Sequence, residues 1–310
     1  MTIQQVAALI AQVDEERLRH DLFYLAKDPL PYRKLNYTLP GHKQCTLYEA
    51  DDYLAARLHS FGYVVEREGV AVQAFRCDPS KPKAQQYAPP LPEDPWYTAW
   101  NLYARKRGSR APDETVVILA HKDSQSWVDS PGAYDNAVGT VSVLEIARIL
   151  APIECRRSLC FLFCNEEHRP WTSVTAAEGA RTRGENLVAI FNLDGLGGKS
   201  REEQQLGKKT NVTLYTTDEG ERLADLMAEV NQRYTIGLEQ RKHRRANPGD
   251  DDGSFIKAGF AAAVANIGSY PYGDPNYHRE TDVPELVDLA NVRMATQASL
   301  AAVLTVAEEE

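Results

Sequence analysis

Cysteine is scarce in this chain: five residues in 310, at Cys45, Cys77, Cys155, Cys160 and Cys164. They are odd in number and form no CxxC pair, so neither a disulfide scaffold nor a zinc knuckle or dithiol redox site is implied. Basic charge is in deficit as well, with 35 Lys and Arg against 44 Asp and Glu and a formal charge of −9. That balance repels a nucleic-acid backbone, so nucleic acid is not an expected partner. Long apolar runs are missing: no stretch of about 18 residues suits a membrane span, and no membrane partner is expected. The N-terminus, MTIQQVAALIAQVDEERLRHD, has no basic n-region and meets charge after a short apolar run. It reads as an amphipathic helix. The expectation is a soluble protein, cytoplasmic rather than secreted, although a mature secreted chain would carry the same sequence. Oligomeric state has no signature here.

What is present suits a large folded core, with 43% hydrophobic and 25% charged residues. Val6, Ile10, Val13, Leu18 and Leu22 recur at helical spacing within the first 27 residues. A Pro-containing loop, KDPLPYRKLNYTLPG, follows, and Tyr48 to Phe61 predicts a second helix stopped by Gly62. These form an N-terminal helical flank over residues 1–62. Residues 63–76 alternate as strands do. Residues 77–100, with QQYAPPLPEDPWY, read as a Pro-rich surface insertion. From residue 101 the rhythm becomes strand, loop and helix. TVVILAH, SLCFLFC, ENLVAIFNLD, NVTLYTTD and AAAVANI are apolar runs, interleaved with helical NAVGTVSVLEIARIL and ERLADLMAEVNQRY and a terminal helix over 288–305. This pattern predicts one α/β domain over 1–310, a three-layer αβα sandwich with a mixed, largely parallel central sheet.

In such sheets ligands bind where strands end in polar residues. His121 ends one apolar run, Glu166 and Glu167 another, and Asp194 a third. Asp123, two residues after His121, could orient the imidazole, as carboxylates do behind metal-bound histidines. Asp135 stands at a helix N-terminus, where it could cap the helix or reach two cations about 3.5–4 Å apart. Adjacent carboxylates such as Glu166 and Glu167 repel without a cation; one could bind metal while the other faces water. His278, in YPYGDPNYHRETD, completes the set. Asp135, Glu167 and Asp194 balance most of the charge of two divalent ions. Mixed imidazole and carboxylate ligation suits Zn2+, with Co2+ or Mn2+ as substitutes. GGKS at 197–200 is not a phosphate loop, because Leu193 stands where the pattern requires glycine.

AHKDS, SPGAYDNAVG, NEE and NLDG, followed by His278, resemble in order the co-catalytic zinc aminopeptidases of peptidase family M28. The resemblance implies the zinc-dependent exopeptidase fold and two Zn2+ per chain. It places His121 and Asp194 on one ion, Glu167 and His278 on the other, and Asp135 between them. Glu166 becomes the general base, Asp123 the carboxylate behind His121, and the Asp135–Asn136 peptide cis. Where family members often continue EEXGLXGS, this chain has EEHRPWTS, so His168, Arg169 and Trp171, together with Trp127, are expected at the rim of the substrate cleft. The implied activity is hydrolysis of the N-terminal bond of a peptide or small amide. The alternatives are carboxypeptidase-like or other amidohydrolase chemistry, then glutaminyl cyclisation, then a non-enzymatic binding module. An aminopeptidase needs a carboxylate for the substrate ammonium, for which Asp251, Asp252 and Glu178 are candidates. A carboxypeptidase needs a cation instead, from Arg169, Arg279 or the run Arg241 to Arg245.

Overall fold

The computed structural model describes residues 1–78, 80–81 and 87–309. The expected N-terminal helix is two helices, α1 (Ile3–Ile10) and α2 (Glu15–Ala26), because Asp14 leaves helical geometry and its carboxylate accepts from the Arg17 N–H, starting the chain afresh. After α3 (Thr46–Ser60) come β1 (Val65–Ala74), β2 (Arg76–Cys77), β3 (Tyr87–Ala88) and β4 (Trp96–Lys106). β2 and β3 form a separate two-stranded sheet. The expected surface insertion 77–100 therefore ends early, and residues 79 and 82–86 of it lie outside the described residues. Trp96, Tyr97 and Trp100 belong to the central sheet, paired with Gln73, Val72 and Gly69 of β1. Gly69 makes room for the indole: a Cβ there would lie 2.9 Å from a Trp100 ring carbon.

The second half alternates as its rhythm implies: β5 (Ala111–His121), α4 (Val138–Leu150), β6 (Arg157–Cys164), β7 (His168–Arg169), α5 (Thr172–Thr182), β8 (Asn186–Leu193), α6 (Arg201–Gln205), β9 (Thr210–Tyr215), α7 (Asp218–Arg233), β10 (Glu239–Arg244), α8 (Asp250–Lys257), β11 (Ala263–Ile267) and α9 (Leu289–Glu308). The nine-stranded sheet is mixed, ordered β10-β9-β11-β8-β5-β6-β4-β1-β7. Its centre, β11, β8, β5 and β6, is parallel, and antiparallel pairings flank it. Burial of both faces explains the unbroken apolar runs. In β5, Val116, Ile118 and Ala120 join the core under α1, α2, α4, α7 and α9, while Val117 and Leu119 face α5 and α8. β6 alternates likewise, Leu159, Phe161 and Phe163 against Cys160, Leu162 and Cys164. The α/β class is that expected. β10, reading EQRKHR, is an exposed edge strand, and the two-residue β7 forms the other edge. Among the described residues no helix is long and apolar enough to cross a membrane.

Candidate metal centre

Because β5, β6 and β8 are parallel neighbours, their carboxyl ends open on one side of the sheet. His121 is the last residue of β5, Glu166 and Glu167 lie just beyond β6, and Asp194 directly follows β8. Asp135 arrives from a distorted turn, Ala133–Ala137, ahead of α4. Gly132 enters that turn at φ +60°, where a Cβ would sit 2.4 Å from the Asp135 carbonyl oxygen. The Asp282 carboxylate accepts from the N–H groups of Tyr134 (2.8 Å) and Asp135 (3.1 Å). Asn136 ties the turn to the end of β8: its Nδ2 donates to Leu193 O at 2.8 Å, and its Oδ1 accepts from Gly139 N and Gly195 N. The Asp135–Asn136 peptide is cis.

These elements converge two triads that share one residue: His121, Asp135 and Asp194, and Asp135, Glu167 and His278. In each, one ligand atom per residue lies within 4.8 Å of the others. His121 Nε2 is 3.1 Å from Asp135 Oδ1 and 3.5 Å from Asp194 Oδ1. His278 Nε2 is 2.8 Å from Asp135 Oδ2 and 3.2 Å from Glu167 Oε1. Asp135 thus offers one oxygen to each set. His121 Nδ1 lies 3.3 Å from Asp123 Oδ1, and donation there turns the Nε2 lone pair toward carboxylate oxygens. In the metal-free chain a proton on each imidazole satisfies these contacts, and the same atoms would meet a metal ion in its place. Ligand separations of about 3.3 Å are also what four-coordinate zinc with bonds of about 2.0 Å requires, so the donor set fits.

The surrounding field agrees. Burial works against charge on His278, yet Glu167 and Asp135 hold its pKa up at about 10. His121 is raised in the same way by Asp194, Asp123 and Asp135. Burial also opposes ionisation of Asp123, but His121 and His168 keep it well below the usual carboxylate range. Glu166 contrasts with it: burial first, then Asp251 and Asp250, push its carboxyl far above normal. It is partly open, and its Oε2 has no hydrogen-bond partner among the described residues.

A cavity of about 280 Å³ adjoins the triads, walled by Leu214, Ile267, Tyr270 and Tyr272 with Asp250 and Arg245. On the other flank Trp127 stands edge-on to Phe75 at 3.9 Å and to His278 at 6.4 Å, while Arg169 lies over Phe75 and Trp171. His168, expected at the rim, is instead completely buried, with Nδ1 2.8 Å from Asp123 Oδ2. The candidate ammonium partners are also displaced. Asp251 is buried against Cys164 Sγ at 3.0 Å, Asp252 is buried and paired with Arg245, and Glu178 is exposed on α5. Asp250, which the sequence did not single out, lines the cavity. Nor is the basic run open: Arg241 pairs with Glu203, Lys242 with Glu221 and Asp225, Arg244 with Asp218, and Arg245 with Asp250. Arg33, also missed, is fully buried and donates to the carbonyls of Leu25, Lys122, Pro131 and Gly132. Its partners are backbone atoms, which leave no trace in a sequence.

Two histidines and three carboxylates thus gather beside the strand ends of an α/β sheet, one carboxylate common to both groups, a donor set that could hold two metal ions. The model of Peptidase family M28 matches residues 101–303, and the chain belongs to that family. Among relatives, a "Probable zinc metalloprotease" of Pyrenophora tritici-repentis is 29% identical over 143 residues, 44% of this chain and 32% of that protein. The chain spans between 30% and 39% of the length of the first three such relatives. Among solved structures, the LapA aminopeptidase of Legionella pneumophila superposes with a TM-score of 0.75 at 17% identity, covering 99% of this chain and 75% of that one. A glutaminyl cyclase of Bacteroides thetaiotaomicron, bound to N-acetylhistamine, reaches 0.70 at 16% identity, covering 94% and 97%. At these identities the likeness is one of fold.

Proposed function

We propose that this chain is a two-zinc aminopeptidase, removing the N-terminal residue of a peptide. The observation that carries the reading is the pair of triads sharing Asp135 beside an apolar cavity. His121, Asp135 and Asp194 would hold one ion and Asp135, Glu167 and His278 the other. When bound, the ions supply Lewis acidity toward a carbonyl oxygen and toward water. Glu166, partly open and with an unpartnered oxygen, would accept a proton from the attacking water and deliver it to the leaving amine. Leu214, Ile267 and the tyrosines accept an apolar side chain, and the Asp250 carboxylate, shared with Arg245, lines the same cavity. The ion pairs that occupy the basic run from Arg241 to Arg245 disfavour a carboxypeptidase-like pocket there.

Matched peptides with free or acetylated N-termini and free or amidated C-termini test the polarity. Release of the first residue should vanish on acetylation and survive amidation; the reverse pattern would reject an aminopeptidase while leaving the hydrolase intact. Elemental analysis should return two zinc equivalents, and a single equivalent with cyclisation of N-terminal glutamine would favour the cyclase alternative.

A further inference from the structure

The carboxylate of Asp123 has four acceptor positions, and four donors fill them. Oδ1 receives His121 Nδ1 at 3.3 Å and Glu166 N at 2.9 Å; Oδ2 receives Glu167 N at 2.8 Å and His168 Nδ1 at 2.8 Å. One side chain thereby orients a residue of each triad, His121 by its ring and Glu167 by its backbone. Of the four, His168 is the one side-chain donor outside the triads. The His168 ring is completely buried, and its Nε2 accepts from Leu35 N at 3.4 Å. With Nε2 accepting, Nδ1 carries the proton and points it at Asp123. Leu35 lies in the Pro-containing segment that also carries Arg33. Arg33 N donates to Ser124 Oγ and Ser124 N to Arg33 O, so the segment is bound to the strand-end loop that follows Asp123.

We infer that His168 is a positioning residue for the metal centre: it locks the Asp123 carboxylate in the one orientation that serves His121 and the Glu166–Glu167 backbone together, and it couples residues 33–35 to metal retention. The inference rests on the two-zinc reading above and extends it to a side chain that touches no ion. Without the imidazole, Oδ2 of a completely buried carboxylate keeps one donor in place of two. The carboxylate can then turn toward its remaining partners, and both triads lose their fixed spacing.

Zinc affinity, measured by chelator competition on the full chain, separates this role from general packing. His168→Gln retains a polar side chain of similar length but, reaching to the Nε2 position, leaves Asp123 without its donor. His168→Asn places an amide N–H near the Nδ1 position and preserves that bond. Loss of such an outer partner typically weakens metal binding ~10- to ~100-fold. His168→Gln and His168→Phe should fall in that range, and His168→Asn should recover most of the loss, with thermal unfolding of the zinc-loaded proteins reporting the fold. Equal affinity for parent and all three variants would overturn the inference, as would a loss shared equally by Asn and Gln. Failure of the unaltered chain to bind zinc overturns this inference together with the functional reading. Two tight equivalents and peptide hydrolysis in the parent, with variants indifferent to the substitution, overturn this inference alone.

Discussion

Replacing Arg33 tests how far the N-terminal flank holds together the fold behind the candidate metal centre. The guanidinium is fully buried, and among the described residues it pairs with no carboxylate; burial draws its pKa down to about 10, with Asp282, Asp123 and Asp135 opposing. It remains a cation at neutral pH, held by four carbonyls at 2.6–2.8 Å. Hydrogen bonds to a charged donor are worth about 1.5–3 kcal/mol each, a gross ~6–12 kcal/mol, against a desolvation cost of several kcal/mol for the buried ion. Methionine removes both. Gly132 O keeps the Ala137 N–H as a partner, so three carbonyls lose their donor at about 1–3 kcal/mol apiece, offset by the recovered desolvation. The expected net destabilisation for Arg33→Met is about 3–5 kcal/mol, a large part of the ~5–15 kcal/mol that holds a typical fold. Lysine keeps the charge but concentrates its donors at one point, so at least one carbonyl goes unmet, at about 1–3 kcal/mol. Equilibrium urea unfolding of the zinc-loaded proteins measures both. Variants within about 0.5 kcal/mol of the parent, an ordinary surface effect, would refute the reasoning.

Glu166→Gln should retain zinc and fold while lowering turnover at least ~10²-fold, the lower end for a lost general base; near-normal turnover in steady-state assays would exclude that role. Asp135→Ala removes a ligand from both triads, so elemental analysis after mild chelation should find both equivalents depleted, whereas Asp194→Ala should deplete mainly one. Acid should strip the metal: the metal-free chain holds a proton on His278 up to about pH 10, so binding below that pH displaces it. Each displaced proton raises apparent affinity about tenfold per pH unit, and chelator competition at about pH 6 and pH 8 should differ ~100-fold for the His278 ion. Gly139→Ala should destabilise by at least ~1–3 kcal/mol in thermal or urea unfolding, since its Cβ would lie 2.1 Å from Leu193 O and 2.4 Å from Asn136 Oδ1.

The strand ends were legible because apolar runs buried on both faces stop abruptly at His121, Asn165 with Glu166, and Asp194, and parallel order does the rest. A glycine inside a helical pattern marks a close approach, and at Gly139 the approach is to Leu193 O. His278 offered no such signal: it lies in a loop and entered only as the residue that completes the set. The prolines at 89, 90, 92 and 95 masked the start of β4, although Trp96 onward pairs regularly with β1. The direction of His168 was hidden because it sits on a two-residue strand, too short for alternation to declare a face. The cations from Arg241 to Arg244 looked available because their partners, Glu203, Asp218, Glu221 and Asp225, lie 17–38 residues away in the chain.

The same cations act on encounters between molecules. A sheet of nine strands ends in unpaired N–H and C=O groups, and a long, flat, apolar edge would recruit the edge of another copy. Here the outer strand is β10, whose Arg241, Lys242 and Arg244 are exposed and restrained by neighbouring acids. A second strand added there would have to strip water from three charged side chains, a cost that surface ion pairs worth at most about 1 kcal/mol each do not repay. The opposite edge, β7, has only two residues to offer. Aggregation by edge-to-edge strand addition is thus opposed by charge at one margin of the sheet and by brevity at the other.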